Sequence, residues 1–365
     1  MRAVQIRALI NFMRASPWLS VVDLRFSENV HYAERGFVFN RNWIFFLNRT
    51  GSASFISMIK HLTKMSFSTR PKGERPRKRA AMTKGNGKPW KMWLLVFPMV
   101  GNALCTQAIE VRSRDPYYSA VVIEAGSGRV LWEDHAGAEA YPASMSKLMN
   151  LFVVLDDIAA GKLSLDQSVT INRETEQIGG RQVWLREGEV FPLEELIYAT
   201  MIHSGNDAAT ALAFAASGGK AAHAARMTEK ARALGLRSTL FHNVHGLPPG
   251  PGQLPDISSA LDMARLADAL LAAHPDTLKY TAISTRDFRP GNPVVLTSPN
   301  KLLGKVVGCD GLKTGFFRAG GFSITATAER NGTRIIAVVM GSKDKNVRIQ
   351  WAERLLERGF VLSKE

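Results

Sequence analysis

The sequence predicts an α+β fold, an antiparallel sheet flanked by helices and carrying an all-helical lobe. From residue 117 the chain reads strands, then helices, then strands, then a closing helix. Asn331-Gly332 joins two β-rich runs, a strong short-range hairpin signal. Between the two strand regions lie Ala/Leu-rich stretches with helical period.

The elements follow in order. Ser119–Glu124 and Val130–Glu133 flank Gly126-Ser127-Gly128, a Gly-rich hairpin turn. Ser144–Ala160 is a helix closed by Gly161. Leu193–Ile202 and Ala208–Ala216 are helices on either side of the polar turn Ser204-Gly205-Asn206. Ala222–Leu234 and Ser258–Ala273 continue the lobe. Phe322–Ala328 and Arg334–Gly341 are the hairpin strands, and Val347–Arg358 is an amphipathic closing helix.

Composition bounds the possibilities. The chain has 365 residues, 45% hydrophobic and 22% charged, as in globular proteins with a sizeable core. Two cysteines, Cys105 and Cys309, exclude a disulfide scaffold. No run reaches 18 apolar residues, so no ordinary membrane-spanning helix is expected. The net charge of +15 suggests a nucleic-acid partner until its distribution is read. Residues 1–91 hold 18 Lys+Arg against 4 Asp+Glu, and the remainder holds 29 against 28. The basicity is therefore N-terminal, and no nucleic-acid footprint remains on the rest.

Residues 1–81 lack sustained period and include the basic, Pro-rich run Arg70–Arg79. They read as a disordered extension or an over-long gene model. Met82 opens a secretory signal pattern over residues 82–108. Lys84, Lys88 and Lys91 form its positive region, Met92–Val100 its apolar region, and Thr106-Gln107-Ala108 its small-residue cleavage site. Leu104 is too large for a lipoprotein site at Cys105. The expected product is exported, periplasmic or extracellular, with residues 109–365 as one catalytic domain and Cys309 unpaired.

Chemistry concentrates in Ser144-Met145-Ser146-Lys147, Ser204-Gly205-Asn206 and Lys313-Thr314-Gly315. This ordered S-x-x-K, S-x-N and K-T-G trio is far more specific than any member alone. Of the S-x-x-K matches, only Ser144 opens a long apolar-periodic helix. Positions i and i+3 share a helical face, so Lys147 can reach the Ser144 hydroxyl. A serine is a poor nucleophile until a base takes its proton, and a lysine is such a base only with a lowered pKa. Burial can lower it, and Lys313 can add a second cation. Ser204 can relay a proton to a leaving amine, and Asn206 can hold a carbonyl or orient Lys147. Thr314 sits on a strand whose edge can pair with an extended peptide. No histidine pair carries metal-ligand spacing, and no cofactor is implied.

Residues from about 109 to 361 resemble the D-alanyl-D-alanine peptidases of the low-molecular-mass penicillin-binding protein type. Tyr141-Pro-Ala-Ser-Met-Ser-Lys147, Ser204-Gly-Asn-Asp-Ala208, Asp310-Gly-Leu-Lys-Thr-Gly315 and Ala319-Gly-Gly-Phe322 carry the resemblance, with the closing Gly359-Phe360. It implies the fold shared by β-lactamases and penicillin-binding proteins. It also implies an acyl-enzyme on Ser144, Lys147 as base, and Ser204, Asn206 and Lys313 in support. The N–H groups of Ser144 and Phe316 would form the oxyanion hole, and Arg348 would bind the substrate carboxylate. The implied partners are peptidoglycan stem peptides ending in D-Ala-D-Ala, with β-lactam antibiotics as inhibitors. Carboxypeptidase action is expected ahead of endopeptidase action. Phe316-Phe317-Arg318 departs from the more usual polar residues after the triplet. His203 reads as structural, and Asp207 as a stabiliser of the helix it opens. Little chain follows Phe360, so no C-terminal membrane anchor is expected. The competing readings are a β-lactamase, for which no E-x-x-L-N motif is found, and a non-catalytic penicillin-binding or wall-sensing protein.

Overall fold

The computed structural model describes residues 109–289 and 294–365. The expected extension over 1–81 and signal pattern over 82–108 lie outside the described residues.

In chain order the strands are β1 (Ser119–Glu124), β2 (Val130–Asp134), β3 (Ser168–Thr170), β4 (Val190–Pro192), β5 (Thr285–Phe288), β6 (Val294–Thr297), β7 (Cys309–Phe317), β8 (Gly321–Arg330) and β9 (Thr333–Ser342). The α-helices are α1 (Lys147–Ala159), α2 (Arg173–Glu176), α3 (Leu193–Tyr198), α4 (Asn206–Ser217), α5 (Lys220–Ala233), α6 (Ala260–Ala273), α7 (Thr277–Thr281) and α8 (Lys345–Leu362). The main sheet is antiparallel with order β2-β1-β9-β8-β7, which leaves β7 on an edge. The expected α+β architecture, with its helical lobe, is the one observed.

Strand alternation explains how this sheet is held. Val121 and Ile123 of β1, with Ile336, Val338 and Met340 of β9, face the helical lobe. Their neighbours Ala120, Val122, Ala337 and Val339 face α8, against Ile349, Ala352, Leu355, Leu356 and Phe360. Both faces of the central strands are covered, which is why Ile335–Met340 reads as an unbroken apolar run. Asp344 caps α8, accepting hydrogen bonds from Asn346 N at 2.7 Å and Val347 N at 3.0 Å.

The lobe is organised around α1. Leu148, Met149, Leu151, Phe152, Val153, Val154 and Leu155 are all buried. A helix apolar around its circumference belongs inside a core, and α1 packs against α4, α5 and α6. Each such side chain contributes about 1.5–3 kcal/mol through burial.

Two expectations change in detail. The helix expected from Ser144 begins as a 3₁₀ turn, Ala143–Ser146, and becomes α-helical only at Lys147. The helix expected over Leu193–Ile202 ends at Tyr198 and passes into a π-turn, Ala199–His203. The ribbons β3–β4 and β5–β6 were not foreseen, because strands of three or four residues offer too few positions for alternation to show.

Candidate active site

Ser144 lies in the 3₁₀ turn between the sheet and the lobe, half-buried. One 3₁₀ turn is three residues, so positions i and i+3 eclipse. The Lys147 Nζ accordingly donates to Ser144 Oγ at 3.0 Å. The same ammonium donates to Asn206 Oδ1 at 2.7 Å and to the His245 carbonyl at 2.8 Å. Lys147 is fully buried, and burial pulls its pKa down to about 7. Asp207 and Asp256 pull the other way, and Arg181 adds to the depression. Burial, ahead of any second cation, is thus the leading cause.

Asn206 opens α4 just after the polar turn. Ser204 holds a left-handed backbone at φ 65°, an uncommon state for a residue with a side chain and one that ends the π-turn sharply. Asn206 Nδ2 donates to the Gly179 carbonyl at 3.0 Å, so its amide is held at both ends. Asp207 accepts from Val183 N, Leu185 N and Ala208 N. It therefore pins the 183–185 segment to the start of α4, a wider role than the cap expected of it. His203 Nδ1 accepts from Thr297 N at 3.3 Å, a structural contact. Burial, then Arg181 and Lys313, hold its pKa down at about 4, so the ring is neutral at pH 7.

The K-T-G triplet sits on β7, in register with β8 through Lys313↔Thr325 and Gly315↔Ser323. Gly315 lets this edge strand meet the nucleophile's turn. A Cβ there would collide with the Pro142 carbonyl oxygen and lie 3.2 Å from Ser144 N. The Lys313 ammonium is buried and donates to the Thr314 carbonyl at 3.3 Å. Burial first, then Lys147, Arg181 and Arg348, push its pKa well below the ordinary lysine value. Arg348, in the first turn of α8, is 6% exposed and donates to the Ser323 carbonyl at 3.4 Å. Burial lowers its pKa to about 10, which leaves it charged at neutral pH.

These groups surround a cavity of about 820 Å³. Ser144, Ser204, Asn206, Thr314, Gly315, Phe316 and Arg348 line it. Lys147 and Lys313 are buried behind its wall, within reach of Ser144 and Thr314 respectively. Of the residues expected in the site, Ser144, Ser204, Asn206, Thr314, Gly315, Phe316 and Arg348 thus share this cavity, and Lys147 reaches it through Ser144. Phe317 and Arg318 also line the cavity, where Phe316 stacks on Phe322 at 4.1 Å between ring centroids. The departure after the triplet thus forms part of the cavity wall.

The loop after α5 was missed. Its His245 carbonyl accepts from Lys147, and its Gly246 abuts the nucleophile's turn. Gly246 has φ +77°, and a Cβ there would overlap the Ala143 carbonyl and lie 2.8 Å from Ser144 N. Asp256 clamps this loop by accepting from His242 N at 2.7 Å and Asn243 N at 3.0 Å, and it accepts from Ser146 Oγ at 2.8 Å. Burial raises the Asp256 pKa to about 6. The turn-rich run Asn243–Gly250 marks a loop in the sequence, but nothing local says that it lands about 100 residues upstream. Gly246→Ala should cost about 3 kcal/mol or more from backbone strain and overlap. A thermal melt should show the midpoint falling by about 6–12 °C. A midpoint unchanged within about a degree would mean that the loop does not need this approach.

Among the described residues, no group of three or more His, Cys, Asp or Glu could hold a metal, and no helix is long and apolar enough to cross a membrane. Cys309 is half-buried and has no disulfide partner among the described residues.

Comparison with known proteins decides the family. The model of Peptidase S11, D-alanyl-D-alanine carboxypeptidase, matches residues 106–344. The chain belongs to the D-alanyl-D-alanine carboxypeptidase family. Within that family it is 32% identical over 244 residues to D-alanyl-D-alanine carboxypeptidase DacF of Bacillus subtilis, covering 66% of this chain and 61% of the relative. It is 33% identical over 261 residues to DacC of Escherichia coli, covering 70% of this chain and 63% of the relative. The chain thus spans just over three fifths of the length of these two carboxypeptidases. Penicillin-binding protein D2 of Listeria monocytogenes, solved in an ampicillin-bound form, superposes with a TM-score of 0.61 at 31% identity, over 67% of this chain and 97% of that one.

Proposed function

We propose that this protein is a serine D-Ala-D-Ala carboxypeptidase that trims peptidoglycan stem peptides through an acyl-enzyme on Ser144. The observation that carries this reading is the buried Lys147 amine 3.0 Å from Ser144 Oγ, with a pKa near 7. A base poised near the working pH is the form in which lysine can activate a hydroxyl.

The steps follow from the groups at hand. The Ser144 proton passes to the neutral Lys147 amine as Oγ attacks the carbonyl carbon of the penultimate D-alanine. The N–H groups of Ser144 and Phe316 are the candidate oxyanion donors, in keeping with the close approach of Gly315 to Ser144 N. The proton then moves, with Ser204 as the candidate relay, to the departing amine of the terminal D-alanine. Water hydrolyses the ester on Ser144 and restores the hydroxyl. Arg348 and Thr314 are the groups to seat the terminal carboxylate, and Lys313 sustains the positive field around them. β-Lactams would acylate Ser144 by the same attack.

Among the described residues, no Asp or Glu lines the cavity. A β-lactamase of the class A kind uses a glutamate to speed deacylation, so the absence of a carboxylate among the lining residues favours the peptidase. Export through a signal segment at 82–108, with residues 1–81 dispensable, belongs to the same proposal, as does action in the periplasm or outside the cell. Incubation of the protein with a pentapeptide stem ending in D-Ala-D-Ala should release one D-alanine, detected by mass spectrometry. Intact pentapeptide after prolonged incubation would sink the reading. Arg348→Ala should lower kcat/KM for that peptide about 10- to 100-fold, mostly through KM, the worth of one charge-assisted hydrogen bond. An unaltered KM would assign the terminal carboxylate elsewhere.

A further inference from the structure

The cavity that holds Ser144 is cationic beyond what one terminal carboxylate requires. Arg181, Lys301, Arg318, Lys345 and Arg348 line it, and no acidic residue does among the described residues. None of the five forms an ion pair among the described residues. The acidic groups that act electrostatically on the site are already engaged. Asp344 caps α8, Asp207 accepts three backbone N–H groups, and Asp256 clamps the 242–243 loop. Arg348 also keeps a buried Nε without a partner.

The cations fall on walls built from different elements. Arg348 and Lys345 belong to the first turn of α8, and Arg348 lies against Phe322 and the Ser323 carbonyl. Arg181 belongs to the wall that carries Asn206. Its carbonyl accepts from Asn206 N at 2.7 Å, and its Nη2 donates to the Thr297 carbonyl at 3.1 Å. The second contact holds an otherwise exposed guanidinium at the rim, beside the 297–301 segment that brings Lys301. A guanidinium pre-positioned by one hydrogen bond still has donors to offer a carboxylate.

We propose that Arg181, with Lys301 beside it, is a second anion subsite. It reads a free side-chain carboxylate on the stem residue that immediately precedes D-Ala-D-Ala. This rests on the carboxypeptidase reading and narrows its substrate to acidic stem peptides. With Arg348 on the terminal carboxylate, an extended peptide along the β7 edge carries its upstream residues past Asn206, the neighbour of Arg181. Stems whose side-chain carboxylate is masked lose this contact and leave the rim cations unpaired. Arg181 acts here in specificity, with no part in the proton transfers.

The test uses two synthetic pentapeptides ending in D-Ala-D-Ala. They differ only in the third residue, a diamino acid whose side-chain carboxyl is free in one and a primary amide in the other. The full chain should cleave the free acid with kcat/KM about fivefold or more above the amide, the scale of one well-held charge contact. Added salt should shrink that ratio, because a rim charge is screened. Arg181→Gln should bring the ratio to near one, and Arg181→Lys should retain part of it. Covalent labelling by fluorescent penicillin reports whether each variant is folded. Equal cleavage of both peptides by the unaltered chain, or an unchanged ratio in folded Arg181→Gln, overturns the subsite while leaving the peptidase reading intact. Should neither peptide lose D-alanine and penicillin fail to label the chain, the peptidase reading falls and the subsite with it.

Discussion

Ser144→Ala is expected to abolish D-alanine release and penicillin labelling, a fall in kcat of about 10⁴-fold or more, since it removes the hydroxyl that the buried Lys147 amine meets at 3.0 Å. The fold should survive the change. Ser144 is half-buried, and its own donated contact to the His245 carbonyl is long, at 3.5 Å. Lys147 keeps its bonds to Asn206 Oδ1 and the His245 carbonyl when the hydroxyl is gone. The cost in stability should therefore stay within about 1 kcal/mol, visible as a nearly unchanged melting midpoint. Residual turnover above a few per cent, in a preparation free of wild-type protein, would assign the nucleophile elsewhere.

Lys147→Met should silence acylation almost as completely, because the base and the nucleophile act as a unit. Methionine keeps much of the volume at this fully buried position while removing the amine. It leaves Asn206 Oδ1 and the His245 carbonyl without their shared donor, so a loss of stability of about 1–3 kcal/mol should accompany the loss of activity. The wild-type protein should carry a related signature in its pH profile. With the Lys147 pKa at about 7, the amine is protonated below that pH and cannot accept the Ser144 proton. The acylation rate should then fall about tenfold for each pH unit below the pKa and level off above it. A flat profile from pH 5 to 9, measured by stopped-flow with a reporter β-lactam, would mean that Lys147 is not the base.

Much of this site was legible because its parts carry local spacing. Ser144 and Lys147 are three residues apart at the start of one helix, and Lys313-Thr314-Gly315 is three contiguous residues on one strand. Arg348 was reached only by counting forward from Lys313 along the resemblance. It proves buried beside Phe322, where a surface arginine was the alternative. The strands β1, β8 and β9 and the long helices were legible for the same reason, a sustained period of two or of 3.6 residues.

What stayed hidden is what depends on distant partners. Gly246 gives no sign of its packing against Ala143, because any turn would use such a glycine. Asp256 reads as a loop carboxylate until Ser146 and the 242–243 amides are seen to close on it. Arg181 is one arginine in a polar stretch until its carbonyl meets Asn206 N. The break at Lys147 between 3₁₀ and α geometry was hidden too, since both share the same apolar spacing over one turn. That break brings a serine and a lysine of matching spacing into register.

The Ser144 oxygen is expected to become an ester under the action of the Lys147 amine. The most direct measurement is the intact mass of the protein after brief exposure to benzylpenicillin, followed by proteolysis and mapping of the modified peptide. A single adduct of penicilloyl mass on the fragment spanning Ser144, formed about 100-fold more slowly when the exposure is made at pH 5, is the expected result. An unmodified chain, or an adduct on any other residue, would contradict it.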